Sequence, residues 1–243
     1  MKKSQDKKLF QKLKQIPKKD MTIYVLMFIT AVLITFAGIY FKQSFLNFLP
    51  LYVSLVIGML QSKVNRYSCL LGSMNSLLYG VVYFYYNLYA SALSAVLFSF
   101  PIQLITFIRW NKNKRGNSTK LNKLTLKQKI LMAAGYVVLL VAMWIILPLI
   151  GSEYVFLDSA SNILGIFIYF LTMFAFIEYT FCMIINGMLT IILYITMIPQ
   201  SPDITTHLIF SCYSFICICF AFFEARKLYK SQQETEKAVE ITI

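Results

Sequence analysis

The chain has 243 residues, of which 58% are hydrophobic and only 14% are charged. Soluble domains are about 45–50% apolar and about 25% charged, so this composition excludes a soluble protein. The membrane spans also leave no room for a separate soluble catalytic domain. The formal net charge of +13 suggests nucleic-acid binding only if the basic residues cluster on a folded surface, and their distribution along the chain argues against that.

A basic tail at 1–20 precedes eight apolar stretches, each close to the 20 or so residues that a helix needs to cross a bilayer. The longest polar connection, 110–129, we interpret as a cytoplasmic linker, and 224–243 as a polar tail. The composition therefore predicts an all-α integral membrane protein with eight transmembrane helices. The predicted spans are 21–41, 45–61, 67–87, 88–109, 130–150, 155–175, 179–198 and 204–223.

The basic residues set the orientation. With the N-terminus in the cytoplasm, all of the 23 Lys and Arg residues except Lys42 fall in cytoplasmic segments. Cytoplasmic loops of membrane proteins carry such an excess of Lys and Arg. We therefore predict a multi-pass protein of the inner cell membrane with both termini cytoplasmic. The charge reflects topology, and we expect the lipid bilayer as its surroundings and no nucleic acid as a partner.

The third and seventh spans share a pattern. Asn75 and Asn186 are each followed eight positions later by a tyrosine, Tyr83 and Tyr194. Each pair lies in the middle span of a three-span group, and both middle spans run in the same direction. This predicts two parallel three-helix repeats, an organisation of 1 + (3 + 1 + 3). The additional helix is 21–41, the repeats are 45–109 and 155–223, and the connecting helix is 130–150.

The sequence contains no recognised catalytic or phosphate-binding motif. There is no HExxH, GxSxG or phosphate-binding glycine loop. The five cysteines lie inside apolar spans without metal-ligand spacing, so we interpret them as small buried side chains. We expect no enzymatic activity, no metal and no cofactor.

Uncharged polar and aromatic side chains at mid-span are the candidates for a substrate site. Carboxamides donate and accept hydrogen bonds, and tyrosine rings stack, which suits a flat, polar, heteroaromatic ligand. The alternative is that these groups join helices, at about 0.6 kcal/mol per hydrogen bond. The candidate substrate-binding residues are Asn75, Tyr79, Gln103, Tyr179, Cys182, Asn186 and Tyr213.

The run "MNSLLYGVVYFYYNLYASALSAVLF" is followed by Gln103 and, seven positions later, by Trp110. These residues resemble two core helices of the PnuC family of vitamin transporters, and the resemblance covers the sequence from 45 to 225. The run "FLDSASNILGIFIYFLTMF" resembles the helix of this family that begins with an aspartate. The family's WxxWxxxN run corresponds to Tyr179, Cys182 and Asn186, so the asparagine is kept and both tryptophans are replaced.

The resemblance implies a seven-helix 3 + 1 + 3 core like that of a full-length SWEET transporter, with the ligand between two bundles. It also implies facilitated diffusion, driven by a cytoplasmic kinase that phosphorylates the substrate, and a homotrimer. Nicotinamide riboside is the expected substrate, with thiamine or a (deoxy)nucleoside as the alternative. Cys182 cannot stack as a tryptophan does, which weakens a cation–π cage for a pyridinium ring.

Overall fold

The computed structural model describes residues 18–85, 95–149 and 155–241. The basic tail, up to residue 17, and the beginning of the fourth span lie outside the described residues. Within them the chain forms eight α-helices. They are α1 (Lys18–Tyr40), α2 (Phe45–Gln61), α3 (Tyr67–Tyr85), α4 (Phe100–Lys112), α5 (Leu126–Leu149), α6 (Val155–Met173), α7 (Tyr179–Met197) and α8 (Thr205–Ile241).

Three short elements connect these helices. A π-helical turn, Ala95–Ser99, leads into α4, and a 3-10 turn, Pro202–Ile204, leads into α8. Strands β1 (Lys114–Arg115) and β2 (Ser118–Thr119) form an antiparallel hairpin whose turn contains Gly116 at φ +57°. The segment predicted only as a linker is therefore folded.

Several helices have the length and apolarity of membrane spans. Among the described residues, four stretches meet both criteria, and two shorter apolar helices, Phe48–Gln61 and Ser159–Met173, accompany them. No residue of the stretch in α5 is buried within the protein, which is expected where a helix faces lipid on most of its surface. The four stretches are Asp20–Tyr40, Leu126–Ile145, Tyr179–Met197 and Pro202–Ala238.

Six helices form a closed ring. In spatial order α2, α3, α4, α6, α7 and α8 each pack against the next, and α8 packs against α2. The middle helices α3 and α7 thus stand between the outer two of each three-helix group. Helix α1 lies outside the ring against α2 and α8, and α5 lies outside it against α6.

Two buried clusters fix this arrangement. The first joins α1, α2 and α8 through residues such as Ile34, Leu51 and Cys217. The second lies at one end of the ring and includes Trp110 and Tyr179, together with side chains of the segment that follows β2. We call this end, where residues 113–125 lie, the linker end.

The segment 113–125 is held by hydrogen bonds to both three-helix groups. Arg66, which precedes α3, donates from its backbone N–H to Asn117 O at 3.0 Å and from its guanidinium to Gly116 O at 2.8 Å. On the other side, Asn122 N–H donates to Ala175 O at 2.8 Å, and Ile177 N–H donates to Asn122 O at 2.9 Å. One short segment therefore joins the two groups at the linker end.

Helix α8 does not end where its apolar run ends at residue 223. It continues to Ile241 because the following residues, rich in Lys, Glu, Gln and Ala, include no Gly or Pro and are good helix formers. The extension contacts the linker: Gln232 Nε2 donates to Thr119 O at 3.0 Å, Leu121 N–H donates to Gln232 Oε1 at 2.9 Å, and Lys120 pairs with Glu236 at 2.7 Å.

Candidate functional site: a polar cavity inside the helix ring

A cavity of about 380 Å³ lies inside the ring. All six ring helices supply side chains to it, whereas the described lining includes none from α1 or α5. Apolar lining residues such as Ile168 and Phe210 alternate with amide, hydroxyl and aromatic groups. The polar lining residues, with tyrosine and histidine included, are Gln61, Ser68, Tyr79, Gln103, Thr106, Tyr169, Thr172, Asn186, Thr190, Tyr194, His207, Ser211 and Ser214.

The cavity is uncharged apart from the titratable imidazole of His207. Its described lining contains no Lys, Arg, Asp or Glu. A bound ligand would therefore meet hydrogen-bonding dipoles and ring faces, with no fixed charge to balance an ionised phosphate. Among the described residues there is also no group of three His, Cys, Asp or Glu side chains that could hold a metal.

Part of the cavity lining is related by a constant sequence offset. Eight described residues of the first three-helix group line the cavity, and for four of them the residue 111 positions later in the second group lines it as well. Because side chains that occupy equivalent places in two similar bundles keep a constant offset, the lining has approximate two-fold character. The pairs are Ile57 and Ile168, Gln61 and Thr172, Tyr79 and Thr190, and Gln103 and Ser214.

The turns at the linker end have the same offset. Val64 and Ala175 both adopt positive φ, at 50° and 56°. Val64 N–H donates to Gln61 O, and Ala175 N–H donates to Thr172 O, at 2.9 and 3.0 Å. Residues other than glycine rarely adopt this conformation, so its occurrence at both Val64 and Ala175 shows that these two turns have the same backbone conformation.

Asn186 lines the cavity from the middle of α7. Its Oδ1 accepts a hydrogen bond from Ser161 Oγ of α6 at 3.2 Å, and Ser161 Oγ lies 3.2 Å from Thr190 Oγ1. A ligand carbonyl or hydroxyl can therefore use the Nδ2 amide protons while Oδ1 stays bound within the protein.

Asn75, the corresponding residue of α3, does not line the cavity. It is buried, and its Nδ2 donates to Ser54 Oγ at 2.8 Å and to Pro50 O at 3.2 Å, both in α2. Its Oδ1 is buried without a hydrogen-bond partner among the described atoms. In both groups, then, the asparagine of the middle helix bonds to a serine of the first helix, but only Asn186 also lines the cavity.

Gln103 of α4 lines the cavity and bonds to α3. Its Nε2 donates to Ser76 Oγ at 3.0 Å. Its Oε1 lies so close to Gly72 that a Cβ at that position would collide with it. Glycine is therefore required at residue 72 for Gln103 to keep this conformation, and the side chain is held in place against the neighbouring helix.

Besides Asn75, three more of the proposed residues do not line the cavity. Tyr179 is buried at the linker end, where its ring packs edge-on against Trp110 at a centroid distance of 6.2 Å. Cys182 packs against the same cluster. Tyr213 is buried between helices, and its hydroxyl donates to Leu55 O of α2 at 2.9 Å. Their side chains hold helices together.

Of the seven candidates, Tyr79, Gln103 and Asn186 line the cavity. The candidate list omitted Thr190, Ser214, Tyr194 and His207, which line it as well. The ring centroids of Tyr194 and His207 lie 6.0 Å apart in an edge arrangement. The constant offset from Tyr79 and Gln103 would have pointed to Thr190 and Ser214.

Comparisons with known proteins agree with this description. The family model described as "Nicotinamide mononucleotide transporter" matches residues 44–227. A solved structure titled "Crystal structure of the Vitamin B3 transporter PnuC" has the same fold, with a TM-score of 0.72 and 20% sequence identity over 89% of this chain and 94% of that one. No curated protein matches the sequence at a significant level.

Proposed function

The chain belongs to the nicotinamide mononucleotide transporter family, a family of membrane transporters, and from this premise we propose that it carries nicotinamide riboside by facilitated diffusion. The observation that supports this substrate best is the lining of the cavity. It combines amides, hydroxyls and tyrosine rings and, among its described residues, contains no Lys, Arg, Asp or Glu.

The missing fixed charge favours the riboside over its phosphorylated form. A phosphate carries about −1.5 to −2 charges at neutral pH, and proteins usually balance it with Arg or Lys. Burying that charge without a partner is expensive. A riboside presents hydroxyls, a carboxamide and a single delocalised positive charge, which suit hydrogen bonds and ring faces.

We assign the ligand contacts to residues that line the cavity. Asn186 and Gln103 hydrogen-bond the carboxamide or ribose hydroxyls, and Tyr79 and Tyr194 offer ring faces to the pyridinium. Asn75, Tyr179, Cys182 and Tyr213 support these positions by packing and interhelical hydrogen bonds. Thiamine, which is also a cationic heteroaromatic, or a (deoxy)nucleoside remains the alternative substrate.

The proposed architecture has eight transmembrane helices, with parallel repeats at 45–109 and 155–223, a connecting helix at 130–150 and an additional helix at 21–41. The constant offset of 111 residues in the cavity lining and in the turns of Val64 and Ala175 supports the repeats. The distribution of Lys and Arg supports an inner-membrane protein with the linker end and both termini, including the segments 1–20 and 224–243, in the cytoplasm.

The proposed driving force is removal of the substrate inside the cell. A cytoplasmic kinase that phosphorylates the riboside prevents its return, because the phosphorylated product no longer suits an uncharged cavity. The chain then needs no ion coupling or cofactor of its own. By family resemblance we also propose a homotrimer, which light scattering of the purified protein in detergent would distinguish from a monomer.

Transport into liposomes tests the proposal. We expect purified protein to equilibrate radiolabelled nicotinamide riboside across the bilayer without ATP or an ion gradient, and to leave nicotinamide mononucleotide outside. Accumulation above equilibrium that depends on sodium or protons would refute facilitated diffusion, and preferential entry of thiamine or a deoxynucleoside would select the alternative substrate.

Reporter fusions test the topology separately. A reporter inserted at Gly116 should respond as a cytoplasmic one, and a reporter at Ser152 as a periplasmic one. The same response at both positions would contradict the parallel arrangement of the two groups.

A further inference from the structure

A second cavity, of about 580 Å³, lies at the linker end between α7, α8 and the beginning of α5. It shares no described lining residue with the cavity inside the ring. Its lining combines the cationic side chains of Lys123, Lys129 and Arg226 with the rings of Phe181 and Phe222. We call it the linker-end pocket.

The positive charge of the pocket is only partly balanced. Its one carboxylate in the described lining, Glu178, pairs with Lys129 Nζ at 3.1 Å and accepts the backbone N–H of Leu124 at 3.2 Å. Within the described residues Lys123 and Arg226 have no ion pair. Arg226 instead places its guanidinium 4.1 Å from the ring centroid of Phe222. Two cations therefore remain available to an anion.

The pocket lies at the level where the helices change from apolar to charged. On α8 the apolar run ends with Phe222 and Phe223, and Glu224 and Arg226 follow. On α7 the exposed ring of Phe181 stands three residues after Glu178. The pocket thus combines cationic side chains with two aromatic rings, of which Phe181 is exposed. These match the two parts of a lipid, its headgroup and the first carbons of its acyl chains.

We propose that the linker-end pocket binds the phosphate-bearing headgroup of an anionic phospholipid. Lys123 and Arg226 contact the phosphate, and Phe181 and Phe222 contact the glycerol and the first acyl carbons. Basic pockets between helices on the cytoplasmic side of a membrane suit such headgroups. The assignment to the inner leaflet rests on the orientation given under the proposed function, whereas binding itself does not.

Native mass spectrometry of the full-length protein, titrated in detergent with phosphatidylglycerol or phosphatidylcholine, tests this. The wild type should retain phosphatidylglycerol in preference to phosphatidylcholine. The double variant Lys123→Gln/Arg226→Gln should bind phosphatidylglycerol more weakly, by about fivefold for each cation removed. The double variant Lys227→Gln/Lys230→Gln loses the same charge from exposed positions of α8 outside the described lining of the pocket and should bind as the wild type does.

Three results would overturn the proposal. One is a wild type without preference for the anionic lipid, and this measurement holds even if a variant fails to fold. Another is an equal loss of phosphatidylglycerol binding in both double variants, which would show that only the net charge of the protein matters. The third is displacement of the lipid by millimolar inorganic phosphate, which would make a soluble anion the occupant. Because no transport substrate is used, failure here leaves the proposed transport function standing.

Discussion

The substitution Gly72→Ala tests whether Gln103 contacts the substrate without altering Gln103 itself. A Cβ at residue 72 would collide with Gln103 Oε1, so the flexible amide must move away. In moving, it breaks the hydrogen bond from Gln103 Nε2 to Ser76 Oγ, now 3.0 Å. Residue 72 does not itself line the cavity in the described structure, so the substitution reaches the ligand only through Gln103.

Stability and affinity should respond differently. Replacing glycine by alanine within a helix contributes up to about 1 kcal/mol, and losing one interhelical hydrogen bond costs about 0.6 kcal/mol on average. These effects oppose each other, so the melting temperature should shift by no more than a few degrees. A substrate group left without its hydrogen bond costs about 1–3 kcal/mol, which weakens affinity by about five- to 150-fold.

Equilibrium binding of nicotinamide riboside to the detergent-solubilised protein provides the measurement. Gln103→Ala should cause a similar loss, and the double variant Gly72→Ala/Gln103→Ala should lose little more, since both changes remove one contact. Gly135→Ala on α5 is the matched control, because its Cβ would lie 3.6 Å from Phe167, an ordinary contact, and neither residue lines the cavity. Unchanged affinity in Gly72→Ala, or fully additive losses, would refute the reasoning.

Three further predictions concern other side chains. Asn186→Leu should fold and bind the substrate about five- to 150-fold more weakly in the same titration; unchanged affinity would assign Asn186 to helix packing alone. Trp110→Phe removes the indole donor to Thr172 O at 2.7 Å and should lower thermal stability by about 0.5–1.5 kcal/mol with affinity intact, so a loss of affinity at unchanged stability would contradict this separation. Lys120 holds the pKa of Glu236 below its usual value, so the ion pair stabilises the fold above the usual glutamate pKa, and this contribution is lost as pH falls through the lower folded value. The melting temperatures of the wild type and Glu236→Gln should therefore converge in acid, and a difference that persists there would contradict the ion pair as its cause.

Hydrophobicity and residue spacing were sufficient to predict most of the helices. The predicted span 45–61 coincides with α2, and the span 179–198 differs from α7 by one residue. Membership of the vitamin-transporter family, inferred from the asparagine motifs, is confirmed by the family match over 44–227. These features are local in sequence, which is why they are readable without a structure.

The sequence did not indicate which residues along a helix face reach the cavity. Tyr179 lies seven positions before Asn186, so the two share a helix face. However, Tyr179 lies two turns closer to the linker end, where it belongs to the buried cluster instead of the cavity lining. Asn75 and Tyr79 share a face as well, yet the shorter Asn75 side chain turns to α2 whereas Tyr79 lines the cavity. Helical spacing indicates a direction, and the extent of a cavity depends on neighbours from distant parts of the chain.

The end of α8 illustrates a different limit. Hydropathy locates the membrane-crossing part of a helix, not the helix itself, so the residues after 223 were predicted as a tail although they continue the helix to Ile241. Their helix-forming composition was visible in the sequence. Their contacts with the linker through Gln232 and Glu236 were not, because these contacts join residues more than a hundred positions apart.

The position of segment 113–125 has a consequence for conformational equilibria. It is hydrogen-bonded to the turn before α3 through Arg66 and to the turn before α7 through Asn122. Any movement that separates the two three-helix groups at the linker end must break the hydrogen bonds of Arg66 or those of Asn122. The strength of these hydrogen bonds therefore adds to the free energy needed to open the protein at the linker end. Apparent affinity scales with the fraction of molecules in the binding-competent form. Substitutions in this segment can therefore change how tightly the substrate is held without touching it, by altering how often the cavity is accessible from that side.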